Sequence, residues 1–396
     1  MRIYVWFPIV VSLGLGFTFM NIPPLNRQFM ELLNVDYAGL SWLLSGLFWS
    51  HALGQLPAGL ISDRFSPWSV MVAGLAICIL ANLLPFINPH SAFLATGMRF
   101  FLGAGTSLSF LAMMKVVFIM APAEKLSFIQ GLQGAGFSFG FVLPYLILPH
   151  LGEAAWPYSY LAGVVFLLAG VIAAFFLPRA KLTTPADGGR SAADLKQAVG
   201  RILTSKAIWM IGIFHGLSYG SMNNLGNWLP SIMADMDGLD DPKVWASAAV
   251  ALLLAGTFGR AFAGPLLSRF SRSQVVNGSI LVIGLLYCLM GLSGAKYLTL
   301  GTALVMSLAC GATYGGVFSL SAGAVEAAYA ATAMGVMNMI ANFFNVGLTL
   351  FFGYIRQYTG GFTPCLIAAG IIALAFWLLG RHIITAIEET ERKGAL

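Results

Sequence analysis

The chain has 396 residues, of which 58% are hydrophobic and 9% charged, with a mean hydropathy of +0.83 and a net charge of +6. A soluble domain carries roughly 25% charged residues, so this composition excludes a water-soluble fold and makes lipid the solvent. The Lys and Arg excess is read as a signal of orientation in a bilayer, not of nucleic-acid binding. Cys78, Cys288, Cys310 and Cys365 lie in apolar runs at scattered spacing, a pattern that fits neither a metal set nor a disulfide framework. The N-terminal run has no small-residue cleavage site and is read as a first span, not a signal peptide.

A spanning helix needs about 20 mostly apolar residues. Twelve such runs follow one another at about 4–24, 38–61, 68–87, 92–114, 127–149, 157–177, 207–232, 244–267, 274–293, 297–320, 332–355 and 362–382. Lipid cannot satisfy backbone polar groups, so all are expected to be helices. The stretch 179–206, with Pro185, Gly188 and Gly189, is the one long connection and reads as a linker between spans six and seven. With the N-terminus inside, fifteen Lys and Arg fall on inner segments and four on outer loops, which puts both termini and the linker in the cytoplasm. The outer loop carrying Asp235, Asp237, Asp240 and Asp241 reads as a solvated acidic cap.

One stretch occurs twice. Gly54-Gln55-Leu56-Pro57-Ala58-Gly59-Leu60-Ile61-Ser62-Asp63-Arg64-Phe65 returns 205 residues later as Gly259-Arg260-Ala261-Phe262-Ala263-Gly264-Pro265-Leu266-Leu267-Ser268-Arg269-Phe270, with five of twelve positions identical. An offset of about half the chain implies two related halves. Six spans, a basic linker, six more spans and the loop Gly59-Leu60-Ile61-Ser62-Asp63-Arg64 resemble the major facilitator superfamily over essentially the whole chain. Arg99-Phe100-Phe101-Leu102-Gly103 in span four is similar to that family's Arg-x-x-x-Gly motif. Two departures stand out: Ser66, Pro67 and Trp68 occupy places where the family has Gly and two basic residues, and Ser268 replaces the second Asp.

The resemblance implies an all-α membrane protein with twelve transmembrane helices in two pseudo-symmetric six-helix bundles and alternating access to a site between them. The expected divisions are an N-terminal bundle at 1–178, a cytoplasmic linker at 179–206 and a C-terminal bundle at 207–396. Asp63, Arg64, Lys115, Arg99 and Arg269 are the gating candidates, Lys115 as a partner for Asp63 and Arg99 as a structural or coupling residue.

Charge inside hydrocarbon is costly, so the chemistry-bearing residues are few: Arg99, Arg260, His51 and His215, with no Asp or Glu inside any run as drawn. A cationic substrate therefore has no evident counter-charge, whereas an anion finds arginine. Arg260 precedes Ser268 by eight residues, about 12 Å along a helix. A planar guanidinium suits bidentate binding of an oxyanion. The alternative for Gly256, Arg260 and Gly264 is a helix-packing seam. In relatives that move nitrate, oxalate or monocarboxylates an Arg at this place contacts the anion, and the resemblance implies the same role here.

Gln55 occupies the repeat position of Arg260 and offers hydrogen bonds to an oxygen. His51, one turn from Gln55, is the proton-coupling candidate, and His215 a weaker one; the alternative for both is a neutral, hydrogen-bonded ring. Asn223, Tyr314 and Asn342 complete the substrate-binding set, with interhelix hydrogen bonding as the alternative. The Asn-, Gly- and Pro-rich stretch Tyr219–Pro230 and its counterpart Asn21–Pro24 read as irregular outer-gate segments. Span five, with Gly134, Gly136 and Gly140, reads as a glycine-rich packing face.

No nucleotide loop, metal cluster or catalytic triad is present in the sequence, so neither an enzyme nor a pump, and no cofactor, is expected. The leading reading is a secondary transporter of a small anion in the plasma membrane, by proton symport or anion exchange, working as a monomer. The alternatives are an exporter of hydrophobic drugs or lipids by proton antiport and a non-transporting sensor.

Overall fold

The computed structural model describes residues 3–152, 154–179, 182, 199–237, 242–325 and 330–392. Its helices are α1 (Ile3–Phe19), α2 (Asn26–Leu33), α3 (Tyr37–Arg64), α4 (Pro67–Leu83), α5 (Ala92–Met120), α6 (Ala123–Ile147), α7 (Trp156–Phe175), α8 (Lys206–His215), α9 (Ser221–Asp237), α10 (Pro242–Arg269), α11 (Arg272–Ser293), α12 (Lys296–Gly323), α13 (Ala330–Thr359) and α14 (Thr363–Arg392). Most of the linker expected at 179–206 lies outside the described residues, as do the positions of Asp240 and Asp241.

Among the described residues, ten helical segments are long and apolar enough to cross a membrane. The other two expected spans correspond to α3 and to α8 with α9. These fall short because of polar side chains, His51 and Gln55 in α3 and Asn223, Asn224 and Asn227 in α9. The segments least suited to lipid are therefore those that carry candidate site residues, and they need protein or water around those groups.

The repeat is longer than its sequence suggests. Both α3 and α10 have 28 residues, with both ends displaced by the same interval. Each closes with a Phe N–H, Phe65 on the Ile61 carbonyl and Phe270 on the Leu266 carbonyl, at 2.9 Å in both copies. Each is followed by a serine that caps the next helix: Ser66 Oγ accepts from Ser69 N, and Ser271 forms a full capping box with Gln274. Ser66, a departure from the family pattern, thus has a local reason to be there.

The chain divides into two compact units, Met1–Gly188 with Asp241–Val250, and Gly189–Asp240 with Ala251–Leu396. In the first, α3 and α4 pack on α5, and α1 packs on α6 and α7. In the second, α11 packs on α12 and α14, and α13 packs on α8 and the turn that follows it.

Small residues set how closely these helices approach. The packing face expected in span five is present at Gly136 and Gly140 but not at Gly134, which has open space beside it: a side chain at Gly140 would run into the Leu13 carbonyl at 2.5 Å, and one at Gly16 would meet the Phe137 carbonyl. Gly103 of the Arg-x-x-x-Gly motif lies against the Leu47 carbonyl and the His51 backbone N. In the second unit Gly311 lies against the Gly256 carbonyl and, at 2.8 Å, the Arg260 backbone N. In both units a glycine fixes the backbone that carries a candidate ionisable residue.

Gly311→Ala is expected to lower stability by about 2 kcal/mol, the usual cost of overpacking. Gly134→Ala, where an added Cβ meets nothing within 4 Å, should leave it unchanged. Thermal unfolding of the purified variants checks both, and equal midpoints would refute the close approach.

Candidate functional site within each helical unit

In the first unit His51 is buried and engaged on both ring nitrogens. Its Nδ1 lies 3.0 Å from Thr106 Oγ1, and its Nε2 lies 2.9 Å from Gln55 Nε2. Thr106 Oγ1 donates its hydrogen to the Gly103 carbonyl at 2.9 Å. The threonine oxygen is therefore an acceptor toward the ring, so Nδ1 carries the hydrogen and Nε2 accepts from the Gln55 amide. The ring is neutral in this arrangement, with Phe19 packed edge-on at 5.3 Å. The sequence signalled His51 and Gln55 but not Thr106, which is 55 residues away from His51 in the chain.

Arg99 is 2% exposed and has a structural assignment. Its guanidinium donates to the Thr18 carbonyl at 2.8 Å, the Asn21 Oδ1 at 3.0 Å and the Phe19 carbonyl at 3.2 Å. These are the groups left open where α1 ends. Asn21 in turn donates to the Ser159 carbonyl and to Asn82 Oδ1. The irregular stretch at Asn21–Pro24 is confirmed as a break: α1 stops at Phe19, a 3-10 turn covers Pro23–Leu25, and α2 starts at Asn26. Arg99 is the residue that holds this break.

The Asp63 side chain lies outside the described residues. Lys115 donates to the Ser62 carbonyl at 2.7 Å, in the last turn of α3, where a cation is favoured by the helix dipole. Arg64 and Arg269 end their helices as exposed side chains. Trp68, the other departure from the family pattern, donates from its indole to the Ala174 carbonyl at 2.8 Å and lies under the Arg179 guanidinium at 4.3 Å. Ser66 also donates to the Leu182 carbonyl at 2.6 Å. Where the family pattern has basic residues, this chain anchors the end of α7 and the first described residues of the linker.

In the second unit Arg260 is half-buried, with its guanidinium carbon 4.7 Å from the centroid of the Tyr314 ring. Tyr314, one of the substrate-binding candidates, meets Arg260 with its face, a cation–π contact. His215 packs on this cluster, stacked on Tyr219 at 5.5 Å and edge-on to Phe318 and Tyr314 at 5.4 and 6.0 Å. Tyr219 lies beside Asn223, whose amide is fully buried with no hydrogen-bond partner other than Tyr219. Asn342 is 1% exposed and donates to the Asn338 carbonyl at 2.8 Å. The packing-seam alternative holds for Gly256, which lies against Met222 and Ser307, but not for Gly264, which has open space beside it.

The irregularity expected in span seven is present but displaced. Tyr219–Pro230 is regular α-helix from Ser221 onward, and the distortion is a π turn at Gly216–Gly220. The bulk of Phe344 and Asn345 presses on Gly216 and Gly220, which gives the backbone a reason to widen there. A π turn shifts the phase of the side chains that follow it.

Two acidic residues also differ from expectation. Asp235 is not only a solvated cap: Arg356 donates to both its oxygens, at 2.7 and 3.1 Å, tying α9 to α13. Glu388 lies in α14, which continues past the expected end of span twelve at 382. Its carboxylate accepts from Ser273 N at 2.9 Å and Arg272 N at 3.3 Å. A carboxylate at the first turn of α11 thus arrives from a distant helix, in the copy of the repeat that has lost its own Asp.

Long apolar helices, two units with a common repeat, and isolated ionisable groups held inside them define a membrane transport protein. The sequence model of the Major Facilitator Superfamily matches residues 8–346, and the chain belongs to that family. SauU of Cupriavidus necator, a probable sulfoacetate transporter, is 24% identical over 375 residues, covering 89% of this chain and 86% of its own. Among solved structures the nucleoside transporter NupG superposes with a TM-score of 0.79 at 13% identity, covering 98% of this chain and all of its own. A D-xylose–proton symporter superposes with a TM-score of 0.70 at 15% identity, covering 94% and 96%. The likeness to these structures is one of fold. The protein is a multi-pass membrane transporter and not an enzyme.

Proposed function

We propose that this transporter carries a small organic oxyanion, a carboxylate or a sulfonate, across the plasma membrane by alternating access. The observation that carries the reading is Arg260, a guanidinium in an apolar run with no acidic residue, backed by a tyrosine face. The name of the relative SauU supports an anion. Asn223, Tyr314 and Asn342 would orient the substrate. Both termini are proposed to be cytoplasmic and the single chain to be the working unit.

Proton symport is the preferred coupling, with anion exchange as the competing mode. Thr106, His51 and Gln55 form the relay. An oxyanion that draws on the Gln55 amide hydrogens removes the donor from His51 Nε2. That nitrogen then takes up a proton and donates to the amide oxygen once Gln55 has turned. The groups identified around the ring, Phe19 from α1, Thr106 from α5 and Gln55 from α3, are uncharged, so a proton arriving there meets no fixed counter-ion among them.

Counterflow in proteoliposomes tests the reading. Small carboxylates and sulfonates are expected to exchange, and neutral amphiphiles to leave uptake untouched. Inhibition by amphiphiles across the panel would favour the export of hydrophobic compounds instead. With His51→Gln, exchange should survive while proton-driven accumulation falls at least tenfold; accumulation at the original level would remove His51 from the coupling.

A further inference from the structure

The second unit holds a set of buried oxygens that the anion reading does not use. Ser221 and Asn224 belong to α9, Tyr287 to α11, and Asn345 and Thr349 to α13. None of the five is more than 1% exposed. The Thr349 hydroxyl and both amide atoms of Asn345 lack a hydrogen-bond partner, and the Ser221, Tyr287 and Asn224 groups have none beyond one another.

These residues converge. The Tyr287 hydroxyl lies beside Ser221 and Asn224. Asn345 is brought in by the π turn, its Cα 3.2 Å from where a Gly220 side chain would begin. One helical turn on from Asn345 comes Thr349, and three residues later Phe352, whose ring packs on Tyr287 at 6.3 Å. One face of α13 therefore runs past the π turn to Tyr287, with Thr349 between the two contacts.

Each stranded polar atom costs about 1–3 kcal/mol. Contacts among Tyr287, Ser221 and Asn224 do not satisfy all of these atoms, so a bound group, water or an ion, is expected in the cluster. Its chemistry narrows the occupant. The oxygens are neutral amide and hydroxyl oxygens, five in number if one is counted from each residue. Mg²⁺ and Ca²⁺ are held by carboxylates, and softer metals by nitrogen or sulfur. Of the two thiols near Tyr287, Cys365 donates to the Phe362 carbonyl at 3.1 Å and Cys310 lies on the Met222 backbone. A hard monovalent cation needs only neutral oxygens.

We propose that Ser221, Asn224, Tyr287, Asn345 and Thr349 form a Na⁺ site inside the second helical unit. The proposal does not rest on the anion reading, because none of its residues belongs to the Arg260 cluster.

The test is thermal unfolding of the full chain in detergent, in NaCl, KCl and choline chloride at equal ionic strength. Na⁺ should raise the midpoint saturably, by about 2 °C at ten times its Kd, with a smaller rise or none in K⁺ or choline. Tyr287→Phe and Thr349→Val each remove one oxygen at nearly constant volume and should abolish the Na⁺ increment while still unfolding cooperatively in choline. Should either variant fail to fold, Ser221→Ala is the milder removal, and equilibrium dialysis of radioactive Na⁺ against the unaltered protein reads occupancy directly. Equal midpoints in the three salts with no retained Na⁺ would mean that water alone fills the cluster. A Na⁺ increment that survives all the variants would put the ion elsewhere. Arg260→Gln should keep the increment, so failure of the anion reading and failure of this one are separable.

Discussion

Replacing Arg260 with Gln is expected to weaken saturable anion uptake by about 100-fold. A charge-assisted hydrogen bond contributes about 1.5–3 kcal/mol, and 1.4 kcal/mol is a factor of ten in affinity. A guanidinium offering two parallel bonds therefore accounts for roughly two orders of magnitude when its charge and its fork are both removed. Gln keeps two donors, so some hydrogen bonding survives but the charge does not. Arg260→Lys should fall between the two, because it keeps the charge, loses the planar fork and stacks less well on Tyr314. Tyr314→Leu should have a smaller effect, about twofold to fivefold, since a cation–π contact contributes about 0.5–1 kcal/mol. Initial rates against substrate concentration in proteoliposomes give all three. An unchanged KM and maximal rate in Arg260→Gln would remove the residue from the binding role and, with it, the main argument for an anion.

The second large effect is on folding. Arg99→Leu leaves the Thr18 and Phe19 carbonyls and the Asn21 amide oxygen, all buried, without their donor. The expected loss is about 3–5 kcal/mol, in the range seen when one partner of a buried charged network is removed. The damage should begin where α1 ends, so proteolysis near Asn21–Pro24 is expected to accelerate before global unfolding. Arg99→Lys should recover part of the loss, since an ammonium reaches one or two of the three acceptors. Melting midpoints in detergent and limited proteolysis measure it. A Leu variant that melts like the parent would show that the guanidinium is not what holds the break, and would reopen Arg99 as a coupling residue.

Several features were legible because lipid imposes them. Apolar runs of helical length, short connections and the Lys and Arg bias follow from the solvent. The same solvent makes His51, Arg99, His215 and Arg260 conspicuous, since an ionisable group in an apolar run needs a reason. The repeat was legible from five identities, and the shared helix bounds and paired serine caps extend it. Where the reading went astray, a neighbour from another helix was the cause. The distortion in span seven was placed on the Asn-rich stretch by composition, but the bulk that accompanies it comes from α13. Asp235 looked solvated because its partner, Arg356, is 121 residues away.

The two copies of the opening repeat put the division most plainly. Sequence alone determined that α3 carries Gln55 where α10 carries Arg260, that one copy has Asp63 and the other Ser268, and that these sit in membrane helices. Those are properties of a single strand of chain in a given solvent, and composition and periodicity record them. Tertiary structure decided that His51 is neutral and tied to Thr106, that Arg260 lies on the Tyr314 face, and that Glu388 brings a carboxylate to the second copy. These depend on which helices cross and how closely. Glycines such as Gly103 and Gly311 permit the approach, but the residues they bring together lie tens to more than a hundred positions apart.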